Sequence, residues 1–158
     1  MSTHNFHHDF NFIMDQLRTR LGITNAIVRR LEGDELVTAG YFGYDEAEAR
    51  LRIFIGQGVT GRCAAERRTV IIDDLAVYRG QYLAGISGAR SELCVPLELG
   101  GRLVGTLNIE SVERANFTPV RIALVARLAN LLAHSIADPD NAAGLALART
   151  LAMLEAVK

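Results

Sequence analysis

Acidic and amide side chains stand near the outer ends of two apolar segments that are close in the chain. Glu92 is the second residue of the first segment, SELCVPLEL. Asn108 and Glu110 lie near the end of the second, RLVGTLNIES, and Gly100 and Gly101 separate the two. Two carboxylates suit a cationic, amino-bearing or otherwise donor-rich ligand, because ionised carboxylates only accept hydrogen bonds. Alternatively, one of the two carboxyls is held neutral by its neighbour. Either chemistry requires that these side chains share one face.

The alternation of side chains along a strand decides which residues share a face. We expect one face of this hairpin to be apolar and to carry Leu93, Val95, Leu97, Leu99, Leu103, Gly105, Leu107 and Ile109. Burying them together requires opposed residue numbers to have an even sum, so we predict a three-residue loop with Glu98 opposite Arg102. That register places Glu92 opposite Asn108, with Glu110 one step along the diagonal. The other face then carries Glu92, Cys94, Pro96, Val104, Thr106, Asn108 and Glu110.

The second face of the hairpin is interpreted as covered. A solvent-facing sheet also alternates in this way. However, we do not expect a face that carries Cys94, Pro96, Val104 and Thr106 to be exposed to solvent. The irregular connection from Leu75 to Arg90 is long enough to cover them, and such loops are commonly functional. The sequence therefore predicts a small-ligand pocket on this face. Arg90 enters the first strand beside it, and could pair with Glu110, bind an anion or form a structural salt bridge.

The periodicity of apolar residues predicts one helix before these strands and one after them. Residues 4–21 predict an amphipathic helix, and a hairpin turned at Gly33–Asp34 follows it. Thr118 and Pro119 mark the start of a closing helix that runs to Ala137. We expect three units: an N-terminal helix over residues 1–22, a core over 23–137 and a C-terminal helical extension over 138–158.

The closing helix is apolar on two sides, which predicts that it is covered on two sides. One stripe contains Leu124, Leu128 and Leu131, and the other contains Ile122, Val125, Ala129, Leu132 and Ile136. One side can lie on the sheet, and the other needs the terminal helices or a second subunit. We expect a homodimer formed through the helices; packing within one chain is the alternative.

The composition of the chain argues against several classes of function, among them nucleic-acid binding and a membrane span. The chain has 158 residues, of which 49% are hydrophobic and 22% charged, with a net charge of -1. No basic block indicates nucleic-acid binding, no apolar run approaches the roughly 20 residues of a membrane span, and the N-terminus lacks the pattern of a secretion signal. Two cysteines are typical of a reducing compartment. We expect a cytoplasmic domain that meets a small molecule or other proteins, with no cofactor and no metal.

Three segments together resemble the GAF domain family: GQGVTGRCAAERRTVIIDD, SELCVPLELGGRLVGTLNIES and NFTPVRIALVARLANLLAHSIA. The resemblance covers Ile23 to about Ala137. It implies an α+β, PAS-like fold with a central antiparallel sheet of five or six strands, helices on one face and ligand-pocket loops on the other. It also implies a sensory module that binds a small ligand, dimerises and signals to a downstream protein or a fused output domain. The ligand-binding residues are then expected to be Asp73, Arg90, Glu92, Cys94, Thr106, Asn108 and Glu110.

Some GAF proteins are enzymes that reduce free methionine-R-sulfoxide, and AAERRT, RSE and the strand pair resemble them. The resemblance implies a thiolate nucleophile and strand carboxylates that hold the substrate. Glu92 matches such a carboxylate, whereas Asn108 replaces an acid and Thr60 stands where a cysteine is expected. A thiolate in that place is needed for the chemistry, so we expect the chain not to be an enzyme. A diverged reductase and a ligand-free dimerisation module are the alternatives.

Three further patterns are interpreted as structural. Gly56, Gly58 and Gly61 spell G-x-G-x-x-G, but the segment is too short for the ~30-residue unit of a dinucleotide site. Cys63 is expected to be a small buried residue. The pair Arg29–Arg30 is expected to lie in solvent.

Overall fold

The computed structural model of the chain describes residues 3–83 and 85–137, with side chains from residue 7 onward. Its elements follow one another in the order α1 (Thr3–Leu21), β1 (Ala26–Glu32), β2 (Glu35–Phe42), α2 (Glu46–Ala49), β3 (Ile53–Phe54), α3 (Gly58–Glu66), β4 (Val70–Ile72), β5 (Ser91–Leu99), β6 (Arg102–Ser111) and α4 (Pro119–Ala137). The expected C-terminal helix of residues 138–158 lies outside the described residues.

The six strands form one antiparallel sheet in the order β3-β2-β1-β6-β5-β4. Helices α1 and α4 pack against one face, where the main core lies around Leu93, Leu107 and Leu132. Helix α3 covers part of the opposite face. The predicted α+β class, with a central antiparallel sheet of five or six strands, is confirmed.

The register of the β5–β6 hairpin differs from the predicted one. Gly100 and Gly101 form a two-residue turn, and their φ angles of 57° and 75° suit the left-handed conformation that glycine adopts easily. Such a turn alone would place the apolar sets of the two strands on opposite faces. A β-bulge between Leu97 and Glu98 restores the match, so that Glu92 pairs with Glu110, and Cys94 with Asn108.

The bulge also exchanges the environments of two neighbouring residues. Leu103, which we expected on the helix side, packs with Leu36 and Ile53 on the opposite side of the sheet. Val104, expected on the polar face, packs against the helix-side core. Beyond the bulge the predicted faces hold: Leu93, Leu107 and Ile109 belong to the helix-side core.

Helix α4 lies between the sheet and α1, so its two apolar sides find cover within one chain. Val125, Leu132 and Ala133 are fully buried, and α1 packs alongside α4. The buried Ser135 hydroxyl donates a 2.5 Å hydrogen bond to the Asp9 carboxylate of α1. The apolar surface of α4 therefore does not by itself require a second subunit, and the homodimer stays a prediction. By length and composition α4 would also suit a membrane span, with a mean hydropathy of 1.4; core helices of globular domains share this property.

Candidate functional site

A small, partly covered cavity lies on the sheet face opposite α1 and α4. Strands β1, β5 and β6 form its floor, and α3 and Leu83 of the connection 75–90 cover it. Its volume is about 30 Å³, which is room for about one water molecule. The residues that line it are Ile27, Arg29, Tyr44, Glu48, Ile53, Gly58, Val59, Thr60, Leu83, Glu92, Asn108 and Glu110.

Strand pairing brings the polar side chains of the floor together. Glu92 lies directly opposite Glu110, and Asn108 pairs with Ile27 of β1 on its other side. Two residues further along β1, Arg29 pairs with Thr106. Because alternate residues share a face, both acids, the amide and the arginine point to the same side. The prediction that Glu92, Asn108 and Glu110 share a buried face is confirmed.

The connection 75–90 is attached to the floor through Glu110. The Tyr82 hydroxyl donates a 2.6 Å hydrogen bond to Glu110 Oε1, and the Ile86 amide donates one of 3.0 Å to Oε2. Gly85 lies so close that a Cβ there would be 2.1 Å from Oε1. From the other side, Asn25 exchanges two side-chain hydrogen bonds with the backbone of Glu110, of 2.7 and 2.8 Å. Glu110 therefore holds the cover closed.

Glu92 is the carboxyl that is neutral in this site. Burial, and secondly the negative charge of Glu110, raise its pKa to about 8. The neighbouring Asn108 amide and the Arg29 guanidinium oppose this rise only partly. Of the two alternatives drawn from the sequence, the structure thus favours a neutral carboxyl beside an acid, with burial as the larger cause.

Five buried polar atoms on this side of the sheet have no hydrogen-bond partner among the described residues. They are Arg29 Nε, Tyr44 Oη, Glu92 Oε2, Thr106 Oγ1 and Asn108 Oδ1. Burial and the charges of Glu110 and Glu92 also raise the pKa of the Tyr44 hydroxyl well above its usual range. Since a buried polar atom without a partner costs about 1–3 kcal/mol, five of them on one side of the sheet call for an explanation.

The other predicted site residues lie outside the cavity lining. Cys94 and Thr106 are fully buried in the sheet beneath α3. Asp73 is exposed, and its carbonyl accepts a hydrogen bond from the Ala115 amide. The suggestion that Arg90 pairs with Glu110 is wrong: Arg90 forms a salt bridge with Asp74, at 3.1 Å, because both lie where the connection 75–90 leaves and rejoins the sheet.

The expectation that Arg29 lies in solvent is also wrong. Its exposed fraction is only 4%, since β1 is a central strand covered on both faces. The sequence contained a signal for this: Arg29 alternates with Ile27 and Leu31, so it shares a face with apolar neighbours. Tyr44 and Tyr82 were missed as well, because they reach the site from segments outside the strands.

The two cysteines lie together in a buried cluster next to the cavity. Cys63 of α3 and Cys94 of β5 pack with Val59, Val70 and Ile72, and both are fully buried. Burial, and secondly the contact with Cys63, raise the pKa of the Cys94 thiol well above its usual range. Neither cysteine lines the cavity.

Comparison with known proteins places enzymes among the relatives. The chain is 33% identical over 88 residues to the free methionine-R-sulfoxide reductase of Escherichia coli K12, which covers 56% of this chain and 51% of that protein. The curated relatives include the GAF domain-containing protein A of Dictyostelium discoideum, 29% identical over 99 residues, or 63% of this chain and 60% of that one. The chain spans about half the length of the curated relatives it matches.

Solved structures share the fold. The Neisseria meningitidis free methionine-R-sulfoxide reductase, solved with its substrate, has a TM-score of 0.68 and 25% identity, over 84% of this chain and 86% of that one. The GAF domain of a Coxiella burnetii phosphoenolpyruvate-protein phosphotransferase has a TM-score of 0.69 at 18% identity, over 84% and 93%, and shows the fold alone.

These comparisons correct one sequence-based expectation. The expectation that the chain is not an enzyme is contradicted, because its relatives by sequence and by structure include free methionine-R-sulfoxide reductases. The expectation depended on the missing cysteine at Thr60 and treated Cys63 and Cys94 as two unrelated residues. In the structure these two are neighbours.

The family model described as GAF domain matches residues 4–137. This range runs from α1 to the end of α4 and contains the whole sheet and the cavity. The chain belongs to the GAF domain family.

Proposed function

We propose that this GAF protein binds a small molecule bearing an ammonium group in the cavity, with Glu92 and Asn108 as its acceptors. The observation that carries the proposal is the set of buried polar atoms without partners, which includes Glu92 Oε2 and Asn108 Oδ1. An ammonium group has three donors and no acceptor. It therefore matches a carboxylate oxygen and an amide oxygen on adjacent strands.

Electrostatics support the same class of ligand. Two acids face each other across β5 and β6, and Glu92 retains a proton because burial, and secondly the negative charge of Glu110, raises its pKa. A bound ammonium would replace that proton and allow Glu92 to ionise. The buried ion pair would then also be hydrogen-bonded, which is the condition under which burial of charge is tolerated.

The relatives support a free amino acid as a member of this class. The Neisseria structure is of a free methionine-R-sulfoxide reductase in complex with its substrate, and a free amino acid carries an ammonium group. The cavity of about 30 Å³ is too small for such a molecule. Entry therefore requires the connection 75–90 to move, which breaks the contacts of Tyr82 and Ile86 with Glu110. Occupancy would shift the position of this connection, and that shift is the signal a downstream partner could read.

Thermal unfolding with a panel of ligands tests the proposal. Compounds with an ammonium group, including L-methionine-R-sulfoxide, should raise the Tm, because a ligand that binds only the folded state stabilises it. Deaminated analogues of the same length should not. Asn108→Leu should abolish the shift, and Glu113→Gln, which changes an exposed acid after β6, should leave it intact. Equal shifts for the amines and their deaminated analogues would overturn the proposal.

A second candidate function is reduction of a sulfoxide, favoured by the relatives and by the Cys63–Cys94 pair. In that reaction two thiols and one sulfoxide give a disulfide, a sulfide and water. The thiols would transfer two electrons and two protons, and an external dithiol would then reduce the disulfide. The raised pKa of the buried Cys94 thiol makes it a poor nucleophile while α3 covers it, so α3 would have to move.

Turnover of L-methionine-R-sulfoxide with a dithiol reductant tests this candidate. Activity should fall to background in Cys63→Ala and in Cys94→Ala, whereas ligand binding by thermal shift should persist in both variants. Full activity in the double variant would exclude this pair as the source of electrons.

A further inference from the structure

Arg29 is a buried cation on the cavity wall. It is 4% exposed, and its Nε has no hydrogen-bond partner among the described residues. Nor does the described part of the chain contain an ion pair that includes Arg29. Burial lowers the pKa of the guanidinium, while the charges of Glu92 and Glu110 act in the opposite direction. Arginine nevertheless remains charged in proteins.

Burying an unpaired charge is costly, so its position calls for an explanation. Helix packing does not provide one, because Arg29 lies on the face away from α1 and α4, among Ile27, Thr60 and Asn108. Glu92 and Glu110 line the same cavity, yet neither forms an ion pair with Arg29. The lining of the cavity therefore carries a cation and two acids that form no ion pair with it.

We propose that Arg29 binds the carboxylate of the ligand and makes the site selective for zwitterions over simple amines. This inference rests on the proposed ammonium site at Glu92 and Asn108. The guanidinium presents a planar fork of donors that matches a carboxylate in a bidentate manner. Arg29 pairs with Thr106, two residues along β6 from Asn108. The carboxylate of the ligand would therefore lie toward Thr106, and its ammonium toward Glu92.

Three probes of one skeleton separate the two ends of the ligand. L-Methionine-R-sulfoxide has both charges, 3-(methylsulfinyl)propylamine lacks the carboxylate, and N-acetyl-methionine-R-sulfoxide lacks the ammonium. Calorimetric titration of the wild-type protein should show the amino acid binding at least tenfold more tightly than the amine, as expected for a hydrogen-bonded charge. This comparison needs no variant and so does not depend on a substitution being tolerated.

Two variants then assign the preference to Arg29. Arg29→Met keeps the length and removes the charge, so it should bind the amino acid and the amine equally. Arg29→Lys keeps the charge without the fork and should retain part of the preference.

The outcomes distinguish this inference from the proposed function. If the amine binds the wild-type protein as tightly as the amino acid does, the Arg29 role is overturned and the ammonium site stands. If Arg29→Met weakens both probes equally, Arg29 is not the carboxylate anchor. If the N-acetylated probe binds as well as the amino acid, the ammonium site itself is wrong, and the inference that rests on it falls too.

Discussion

Replacing Glu92 by glutamine should change how the stability of the protein depends on pH. Burial and the charge of Glu110 raise the pKa of Glu92 to about 8, whereas a glutamate in an unfolded chain titrates near 4.3. Between these values the folded protein keeps a proton on Glu92 that the unfolded chain has released. Glutamine has nearly the same shape as the protonated acid and does not titrate, so Glu92→Gln isolates this effect.

The sign and the magnitude follow from proton linkage. Stability falls with rising pH wherever the folded state holds more protons than the unfolded state. The contribution of Glu92 is thus most favourable below about pH 4 and is lost as pH rises toward the folded pKa of about 8. From pH 5 to pH 8 the loss amounts to about 3–4 kcal/mol. The free energy of unfolding of Glu92→Gln, relative to wild type, should rise by that amount over the same interval.

Urea denaturation between pH 5 and pH 8 measures this difference. Circular dichroism is the suitable signal, because the chain contains no tryptophan. Glu113→Gln is the control: Glu113 is exposed, so its replacement should leave the difference from wild type flat across pH. A flat profile for Glu92→Gln as well would refute the assignment of a neutral, buried carboxyl to Glu92.

Three further substitutions probe the contacts around Glu110. Tyr82→Phe removes a hydrogen bond to a carboxylate, worth about 1.5–3 kcal/mol, so limited proteolysis of residues 75–90 should accelerate. Tyr41→Phe changes an exposed tyrosine of β2 and should have little effect. Asn25→Ala leaves the buried N–H and C=O of Glu110 without their side-chain partner, and urea denaturation should show a loss of about 3 kcal/mol. Gly85→Ala forces the Glu110 carboxylate away, so hydrogen exchange of the next amide should become faster.

Each of these predictions has a clear contrary outcome. Equal proteolysis of Tyr82→Phe and Tyr41→Phe would mean that the Glu110 contact does not hold the connection. A loss well below 1 kcal/mol in Asn25→Ala would show that water replaces the amide at no cost. Unchanged exchange of the Ile86 amide in Gly85→Ala would contradict the close approach of that backbone to Glu110.

The alternation of side chains along the strands predicted which residues of the site share a face. Alternation along β5 and β6 correctly placed Glu92, Asn108 and Glu110 on one buried face. The exact pairing was wrong because two shifts add: the Gly100–Gly101 turn moves the register by one residue from the predicted one, and the bulge moves it by one more. Glu92 therefore pairs with Glu110 and not with Asn108, but the same faces stay together. The predicted three-residue loop and the observed turn with its bulge both place the same residues on the same face. The periodicity of the sequence therefore cannot distinguish the two arrangements.

The sequence pattern does not predict contacts between segments that are distant in the chain. The attachment of Tyr82 and Ile86 to Glu110 joins residues 28 and 24 positions apart, and nothing in an irregular connection reveals which of its groups face inward. Arg29 is a different case. Its alternation with Ile27 and Leu31 indicates that it is buried. The expectation that it lies in solvent followed only the general tendency of arginine to be exposed.

The most direct test of the ammonium site is a crystal structure of the protein with L-methionine-R-sulfoxide. We expect the ammonium nitrogen within hydrogen-bond distance of Glu92 Oε2 and Asn108 Oδ1, with the connection 75–90 displaced from Glu110. Density for the compound elsewhere on the protein, or in the cavity with its ammonium group away from both acceptors, would contradict the account.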